Sequence, residues 1–391
     1  MGHHLTVGLI RCYIGLMVHI PSRSLGQPLF IGLCVLASLK IVDVLFLIPD
    51  PGIDFGSFYQ SALEWREGRE PYPVTGIDPP NLTPPVMLIV FTPFTWLSLP
   101  AAKAVWSTIS LACLGLSVTL SSRFIGLYRR DIFIILFAAS PVALSLGLGQ
   151  VSFLLMLAMT MAWIATKRGR KCLAGFLLGI VCLVKPFYGL FFLWQLWRRD
   201  WIGALTLSGV VVTGLLVSLA MVGIEQFVAW LGLLQDISWQ AHIYNASIFG
   251  ITERLFFPIV ELPAAMWTPI VVSPLAAIAA TMFMIGLVLW LLLRTPKNID
   301  DWFVALSMAG MLLAPLAWIH YLTISATPTI TVLMRRHKYL SGAVLVLVVW
   351  PYQAFINMHH DLLGTLTVGL WAPGLVALIL IATIFAGKKV G

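Results

Sequence analysis

The chain has 391 residues, of which 60% are hydrophobic and only 10% charged, and its mean hydropathy is +0.95. Soluble proteins carry about 25% charged residues, so this composition excludes a soluble domain. The repeated apolar runs predict an all-α polytopic membrane protein with one transmembrane domain over residues 1–391. The net charge of +8 does not indicate a nucleic-acid partner, because basic residues collect in the cytoplasmic loops of membrane proteins.

The first predicted span runs from Leu29 to Ile48 and contains Lys40 and Asp43. These two residues lie three apart and therefore on one helical face, which predicts an ion pair inside the helix bundle. A proton-relay role is the alternative. Residues 5–20, which precede this span, are better suited to an interfacial helix than to a span.

The first outer loop, residues 50–100, begins with the most charge-dense stretch of the chain. A short amphipathic helix is predicted there, ended by Gly68 and Pro71. Asp54 comes directly after the first span, which places it at the mouth of a candidate active site. Its alternative role is the N-cap of that helix. The helix is indicated by apolar side chains that alternate with charges, namely Phe58, Ala62, Leu63 and Trp65.

The rest of this loop is rich in proline. Residues 78–85 cannot hold a helix, and residues 86–99 form an apolar segment that Pro93 interrupts. We predict a re-entrant or interfacial helix for residues 86–99, followed by a full span over residues 101–121.

Spans are next predicted over residues 132–148 and 151–166, joined by a turn at residues 147–150. The apolar run 172–197 has basic residues at both ends, and both ends therefore favour the cytoplasm. Lys185-Pro186 lies in its middle, so we predict that the helix breaks there, turns back and lines a cavity.

A span over residues 201–222 leads to a second, aromatic-rich outer segment, residues 223–268. The remaining helices bring the total to about twelve crossings, with both termini cytoplasmic. They are predicted over residues 269–293, 301–318, 321–334, 339–356 and 366–387.

This topology brings polar groups from separate segments to the outer face. They include the carboxylate of Asp54, the cations of Lys185 and Arg254, and His320. Such a set is suited to a transfer reaction on a phosphorylated lipid, in which a base deprotonates an acceptor hydroxyl and cations neutralise the leaving phosphate. The alternatives are that Lys185 snorkels to the interface, that Arg254 neutralises Glu253 or lipid headgroups, and that His320 is a core histidine.

No metal site or other cofactor is predicted. The adjacent pair His359-His360 is followed by Asp361, but neighbouring histidines point in different directions and no fourth ligand is near. The five cysteines lie in or beside apolar segments, which does not indicate a disulfide framework.

The order of several weak motifs resembles glycosyltransferase family 87, a group of bacterial membrane mannosyltransferases in the GT-C superfamily. The resemblance covers residues 54 to about 321. Its pieces are Asp54-Phe55, Tyr59, Ala62, Gly68, Pro71-Tyr72, Pro84-Pro85, Pro93, Gly149-Gln150, Ala174-Gly175, Lys185-Pro186, Asn245 to Ser247, Arg254, and Trp318 with His320-Tyr321. The usual Asn-Gln-Ser of the later motif reads Asn245-Ala246-Ser247 here.

The resemblance implies a GT-C fold with membrane-parallel helices in the first outer loop. It implies an inverting, metal-independent transfer of a hexose, mannose being favoured, from a polyprenyl-phosphate donor to a glycolipid or cell-envelope glycan. The site would face the periplasm from the bacterial inner membrane. The implied roles are catalysis for Asp54 and His320, donor-phosphate binding for Lys185 and Arg254, and substrate binding for Tyr59, Tyr72, Gln150, Asn245, Ser247 and Tyr321.

Besides a structural or assembly subunit, which would not need the polar groups around Asp54, two alternatives remain open. One is a transporter or flippase of a lipid-linked sugar, which could use the intramembrane charges of Lys40, Asp43 and Lys185. Transporters commonly contain paired repeats, whereas the sequence has no internal repeat. The other is a GT-C transferase for a different sugar, such as glucose or arabinofuranose, since such donors differ only in hydroxyl geometry.

Overall fold

The computed structural model describes residues 27–42, 52–125, 129–237, 239–242, 244–257, 272–295, 298–335, 343–344, 346–348 and 362–386. Within these ranges the chain is helical and has no β-strand, apart from one isolated antiparallel bridge between Asn245 and Trp318. This confirms the all-α class. Three predicted features lie outside the described residues: the interfacial helix at residues 5–20, the Asp43 partner of Lys40, and the His359–Asp361 cluster.

The first half of the chain forms helices that follow the predicted order closely. Helices α1 to α8 are Gln27–Val42, Ile53–Arg66, Val86–Phe91, Leu99–Ile125, Arg129–Ala138, Ser140–Leu148, Ser152–Lys167 and Lys171–Val184. Short 3-10 helices follow α3 and α8, at Thr92–Trp96 and Pro186–Gly189.

The second half continues in the same way. Helices α9 to α16 are Leu190–Trp197, Trp201–Val222, Ile224–Asp236, Ile248–Phe256, Pro274–Leu293, Ile299–Leu313, Ala326–Arg335 and Leu362–Ala386. Further 3-10 helices lie at Trp239–Ala241 and Ile319–Ser325.

Three described helices, α4, α10 and α13, are long and apolar enough to cross a membrane. They coincide with the predicted spans that begin at residues 101, 201 and 269. The consecutive helices α5 and α6 pass the same test as a pair and raise the number to four. The protein is therefore a membrane protein, while the total of about twelve crossings and the GT-C fold stay predictions.

The helix predicted over residues 132–148 is in fact broken, and that prediction of one continuous span was wrong. Helices α5 and α6 meet at Ala139 with a bend of 72°. Pro141 lies in the first turn of α6, where its missing N–H costs nothing, but it cannot continue the hydrogen bonds of α5.

The predicted break at Lys185-Pro186 is confirmed. Helix α8 ends at Val184, and Lys185 has an extended backbone (φ −131°, ψ 87°) before the 3-10 turn begins at Pro186. The break therefore places Lys185 at the end of a helix rather than along its side.

The helices predicted for the first outer loop are present, while their position relative to the membrane stays a prediction. Helix α2 buries one face, formed by Phe55, Phe58, Tyr59 and Ala62, and Gly68 follows it with φ +76°. Residues 70–85 contain no helix, and α3 changes to a 3-10 turn next to Pro93. Aromatic contacts of Phe55 with Trp106 hold α2 against α4.

Close helix packing fixes the position of the Lys185 break. A Cβ atom at Gly175 would lie 2.4 Å from the Gly203 carbonyl oxygen, and one at Gly179 would lie 2.7 Å from the Val210 Cβ. Small residues of this kind allow membrane helices to approach closely, so α8 packs directly on the backbone of α10.

Candidate active site

The candidate active site is built around the start of helix α2. Asp54 is its second residue, and the N-cap is Gly52, which has φ +76° and provides no side-chain cap. The alternative reading of Asp54 as the N-cap is therefore wrong. Its carboxylate instead accepts a 2.5 Å hydrogen bond at Oδ2 from Gln150 Nε2.

The turn that carries Gln150 is pressed against the start of α2. The Gly52 N–H donates to the Gly147 carbonyl at 2.6 Å, and Trp106 Nε1 donates to the Gly149 carbonyl at 2.8 Å. Gly149 has φ +71°, and a Cβ atom there would lie 2.7 Å from the Phe55 Cβ. Only glycine fits this position without displacing α2, so the turn sets the distance between Gln150 and Asp54.

The surroundings of Asp54 make it a stronger base than a free aspartate. Helix α2 lies outside the candidate spans, and burial raises the pKa of Asp54 to about 6, against the opposing effects of the Gln150 hydrogen bond and the positive charge of Lys185. A base with a pKa near the working pH is suited to proton transfer from a hydroxyl group.

Lys185 lies inside the protein rather than at a lipid or solvent surface. Its side chain is 8% exposed, and its Nζ lies 3.9 Å from the centroid of the Tyr321 ring. The structure therefore favours a lysine buried inside the protein over a snorkelling one. Lys185 is also near enough to Asp54 for the two charges to interact.

His320 and Tyr321 belong to the buried 3-10 helix Ile319–Ser325. The His320 ring lies between Trp318, with ring centroids 6.4 Å apart, and Tyr321, with centroids 4.8 Å apart. Ser145 Oγ donates to the His320 carbonyl at 3.0 Å, which ties this turn to α6.

His320 Nε2 and Gln150 Oε1 are among the buried polar atoms that have no hydrogen-bond partner within the described part of the chain. Buried polar atoms are normally hydrogen-bonded, so both atoms are suited to contact a polar substrate. The structure thus brings together five of the predicted site residues, which are Asp54, Gln150, Lys185, His320 and Tyr321.

Asn245 and Ser247 form hydrogen bonds that hold the backbone. Asn245 Oδ1 accepts from the Ser247 and Ala317 N–H groups at 3.1 and 3.0 Å, and its Nδ2 donates to the Gln240 carbonyl at 2.9 Å. Ser247 caps α12 by accepting from the Gly250 N–H at 3.0 Å. Substrate binding by these two residues stays a prediction.

Arg254 also contacts backbone. Its fully buried guanidinium donates from Nη1 to the His242 carbonyl at 2.7 Å and from Nη2 to the Asn245 carbonyl at 2.9 Å. These bonds hold the segment before α12 in place. Its predicted contact with a donor phosphate stays a prediction.

Tyr59 and Tyr72 stabilise the first outer loop. The Tyr59 hydroxyl donates to the Leu97 carbonyl at 2.8 Å, and the Tyr72 hydroxyl donates to the Thr83 carbonyl at 3.0 Å. Their hydroxyl groups therefore fold the loop over α2, and a substrate contact for either residue stays a prediction.

Sequence reasoning missed two side chains beside Trp318. The Trp239 ring centroid lies 6.0 Å from that of Trp318, and the His242 centroid lies 4.9 Å from it. The only sequence signal was the high aromatic content of the second outer segment, which does not distinguish one ring from another.

A half-buried carboxylate held by Gln150, a buried lysine and a buried histidine, set among apolar helices, are suited to group transfer in a membrane enzyme. The profile of glycosyltransferase family 87 matches residues 81–319, and the chain belongs to this family. The predicted family is confirmed, and the protein is a glycosyltransferase. Asp54 precedes the matched stretch, and His320 is the first residue after it.

A curated relative is the polyprenol-phosphate-mannose-dependent alpha-(1-2)-phosphatidylinositol mannoside mannosyltransferase of Mycobacterium tuberculosis (strain ATCC 25618 / H37Rv). It is 24% identical over 300 residues, which cover 69% of this chain and 67% of the relative. No solved structure matches the chain.

Proposed function

We propose that this protein transfers a hexose, with mannose favoured, from a polyprenyl-phosphate donor to a glycolipid or cell-envelope glycan, with inversion at the anomeric carbon. The observation that carries the proposal is the half-buried Asp54 carboxylate, which is held by Gln150 and lies near enough to Lys185 to feel its charge. The named activity of the mycobacterial relative supports the lipid-linked mannose donor.

The proposed reaction is a direct displacement. Asp54 accepts the proton of an acceptor hydroxyl, and the acceptor oxygen forms a bond to the anomeric carbon of the donor sugar. The bond between that carbon and the phosphate oxygen breaks, and its electron pair leaves with the polyprenyl phosphate. Oδ2 of Asp54 is held by Gln150, so Oδ1 is the oxygen that receives the proton.

The leaving phosphate gains negative charge as the bond breaks. The Lys185 ammonium and a His320 N–H are the groups proposed to stabilise it, because a fixed charge in a water-poor site acts more strongly than in water. This arrangement assigns no step to a metal ion. Transfer is accordingly expected to continue when divalent cations are removed with a chelator.

The site is proposed to face the periplasm, with both termini in the cytoplasm. The basic turn at residues 167–171 and the acidic first outer loop lie at opposite ends of α7 and α8, in keeping with the positive-inside rule. A lipid-linked donor and an envelope acceptor would then meet on the same side of the membrane.

The decisive experiment is Asp54→Asn in the purified full chain. Asparagine keeps the size of the side chain but cannot accept the proton, so sugar transfer should fall about 10²–10⁴-fold while donor affinity changes little. Both quantities are measured on the same sample, with a panel of radiolabelled polyprenyl-phosphate sugars. Glu70→Gln, at an exposed carboxylate of the same loop, is the matched control and should retain activity.

Transfer near the wild-type rate in Asp54→Asn would refute the base assignment and direct attention to His320. If the wild-type protein transfers no sugar but moves lipid-linked sugar across vesicles, the transporter alternative is correct.

A further inference from the structure

An aromatic cluster lies next to the candidate active site and has no role in the reaction proposed above. It consists of the half-buried rings of Trp239, His242 and Trp318. The Trp318 ring is nearly parallel to that of His320, with an angle of 10° between the planes. The cluster is therefore continuous with the reacting groups, through His320 and Tyr321, as far as Lys185.

Backbone contacts hold this cluster in place. The antiparallel bridge pairs Asn245 with Trp318, and its hydrogen bonds join Ala246 to Ala317 and Ile319 to Tyr244. Arg254 fixes the His242 carbonyl. Rings that are positioned before a ligand arrives bind with little loss of conformational entropy.

His242 adds one oriented hydrogen-bond donor. Its Nδ1 accepts the Tyr244 N–H at 3.2 Å, so in the neutral ring the proton is on Nε2. Burial, together with the positive charge of Arg254, lowers the pKa of His242 to about 4, which keeps the ring neutral at physiological pH. Its Nε2–H therefore acts as a fixed donor next to the Trp318 ring, which in turn contacts Trp239.

We propose that Trp239, His242 and Trp318 form a carbohydrate-binding subsite that holds a pyranose ring beside the reaction centre. A pyranose has a face of C–H groups and an edge of hydroxyl groups. The C–H face packs on the electron-rich face of an aromatic ring, and a hydroxyl accepts from a fixed N–H donor. The cluster offers both features within one ring contact of His320.

A membrane-interface belt is the competing explanation, since tryptophans collect where headgroups meet water. A belt needs neither a fixed tautomer nor contact with a buried catalytic turn. Those two features favour a sugar-binding subsite. The test below also distinguishes it from an aromatic belt that contacts lipid. The role of this subsite in the reaction rests on the proposed function. Its binding of a sugar can be measured without turnover.

The test uses saturation-transfer NMR with the purified full chain in detergent and a panel of methyl hexopyranosides. Magnetisation should pass from the protein to the sugar ring protons in the wild type. The same should hold in the Asp54→Asn variant, because Asp54 is not part of this subsite. Trp239→Ala and His242→Phe should weaken binding about 2- to 10-fold. Trp96→Ala removes a 74% exposed indole of the first outer loop and should bind as the wild type does.

Steady-state kinetics then show whether the bound pyranose belongs to the acceptor or to the donor. A higher KM for the acceptor in Trp239→Ala, with kcat nearly unchanged, assigns the subsite to the acceptor glycan, and a higher KM for the donor assigns it to the donor sugar. The proposal is overturned if the wild-type protein transfers no magnetisation to any hexopyranoside. It is also overturned if Trp239→Ala, like Trp96→Ala, changes neither binding nor KM, as expected for rings that only contact lipid.

Discussion

At the scale of single residues, the proposed mechanism depends on the charge state of Asp54. Burial favours the neutral acid, whereas the Gln150 hydrogen bond and the Lys185 charge favour the carboxylate. The balance gives a pKa of about 6. Gln150, Lys185 and Asp54 therefore act as one electrostatic unit, and a change in one of them alters the others.

Because Asp54 must be ionised to accept a proton, kcat/KM should decrease as the pH falls through about 6. Gln150→Met removes the hydrogen bond that stabilises the carboxylate, so the pKa should rise and this acidic limb should move to higher pH. The measurement is the pH dependence of kcat/KM for both proteins. An acidic limb at the same pH in both would mean that Asp54 is not the titrating base.

Lys185→Ala should weaken donor binding and slow transfer together, because a phosphate contact persists and strengthens as negative charge develops. The loss of one hydrogen bond to a charged group costs about 1.5–3 kcal/mol, or roughly 10- to 150-fold. Lys185→Arg should restore only part of this, since a planar guanidinium does not replace a compact ammonium.

The matched control for Lys185→Ala is Arg170→Ala, at an exposed residue that precedes the same helix, α8. It should leave donor affinity and the rate of transfer unchanged. If Lys185→Ala behaves like this control, the lysine contributes only to packing.

At the scale of the elements, one of the two helix breaks at proline could be predicted from the sequence and the other could not. The break at Pro186 was predictable because basic residues at both ends of the apolar run conflicted with one uninterrupted crossing. The break before Pro141 lies in a run without such a conflict, and proline is tolerated in the first turn of a helix. Proline alone therefore does not reveal whether a helix bends or merely begins.

Gly149→Ala should displace the start of α2 and with it Asp54. The φ of +71° is strained for any side chain by about 1–2 kcal/mol, and the added Cβ would also lie 2.7 Å from the Phe55 Cβ. Gly68→Ala is the control: its φ is +76°, but a Cβ there meets nothing within 4 Å. Both variants should lose stability on heating, but only Gly149→Ala should also lose kcat.

Equal loss of kcat in Gly149→Ala and Gly68→Ala would show that backbone strain, rather than the contact with α2, explains the effect of the first substitution.

At the scale of the whole molecule, the topology decides on which side of the membrane the reaction occurs. Cysteines placed at Thr75 and Gln240, both exposed, should react with an impermeant thiol reagent from outside. A cysteine at Arg170 should react only after the membrane is permeabilised. The measurement is labelling of intact and permeabilised cells in a cysteine-free background, and labelling at position 75 only from the cytoplasm would contradict the proposed orientation.

The sequence predicted the convergence of Asp54, Gln150, Lys185 and His320 because topology alone brings their segments to one face. It could not predict what each polar side chain binds. Arg254 and Asn245 carry the same groups that a substrate site needs, but here those groups bond to backbone carbonyls and N–H groups. Whether such a group binds a substrate or the protein's own backbone depends on distances, which sequence patterns do not contain.

The bridge between Asn245 and Trp318 has a consequence for how the protein is made. The partners of Tyr244 and Ala246 are Ile319 and Ala317, which leave the ribosome only after α13 and α14 have been synthesised. Asp54, Gln150 and Lys185 have been synthesised by then, without the turn that carries His320. Under the proposed function, a nascent chain therefore has no complete site and is expected to transfer no sugar before its synthesis is nearly finished.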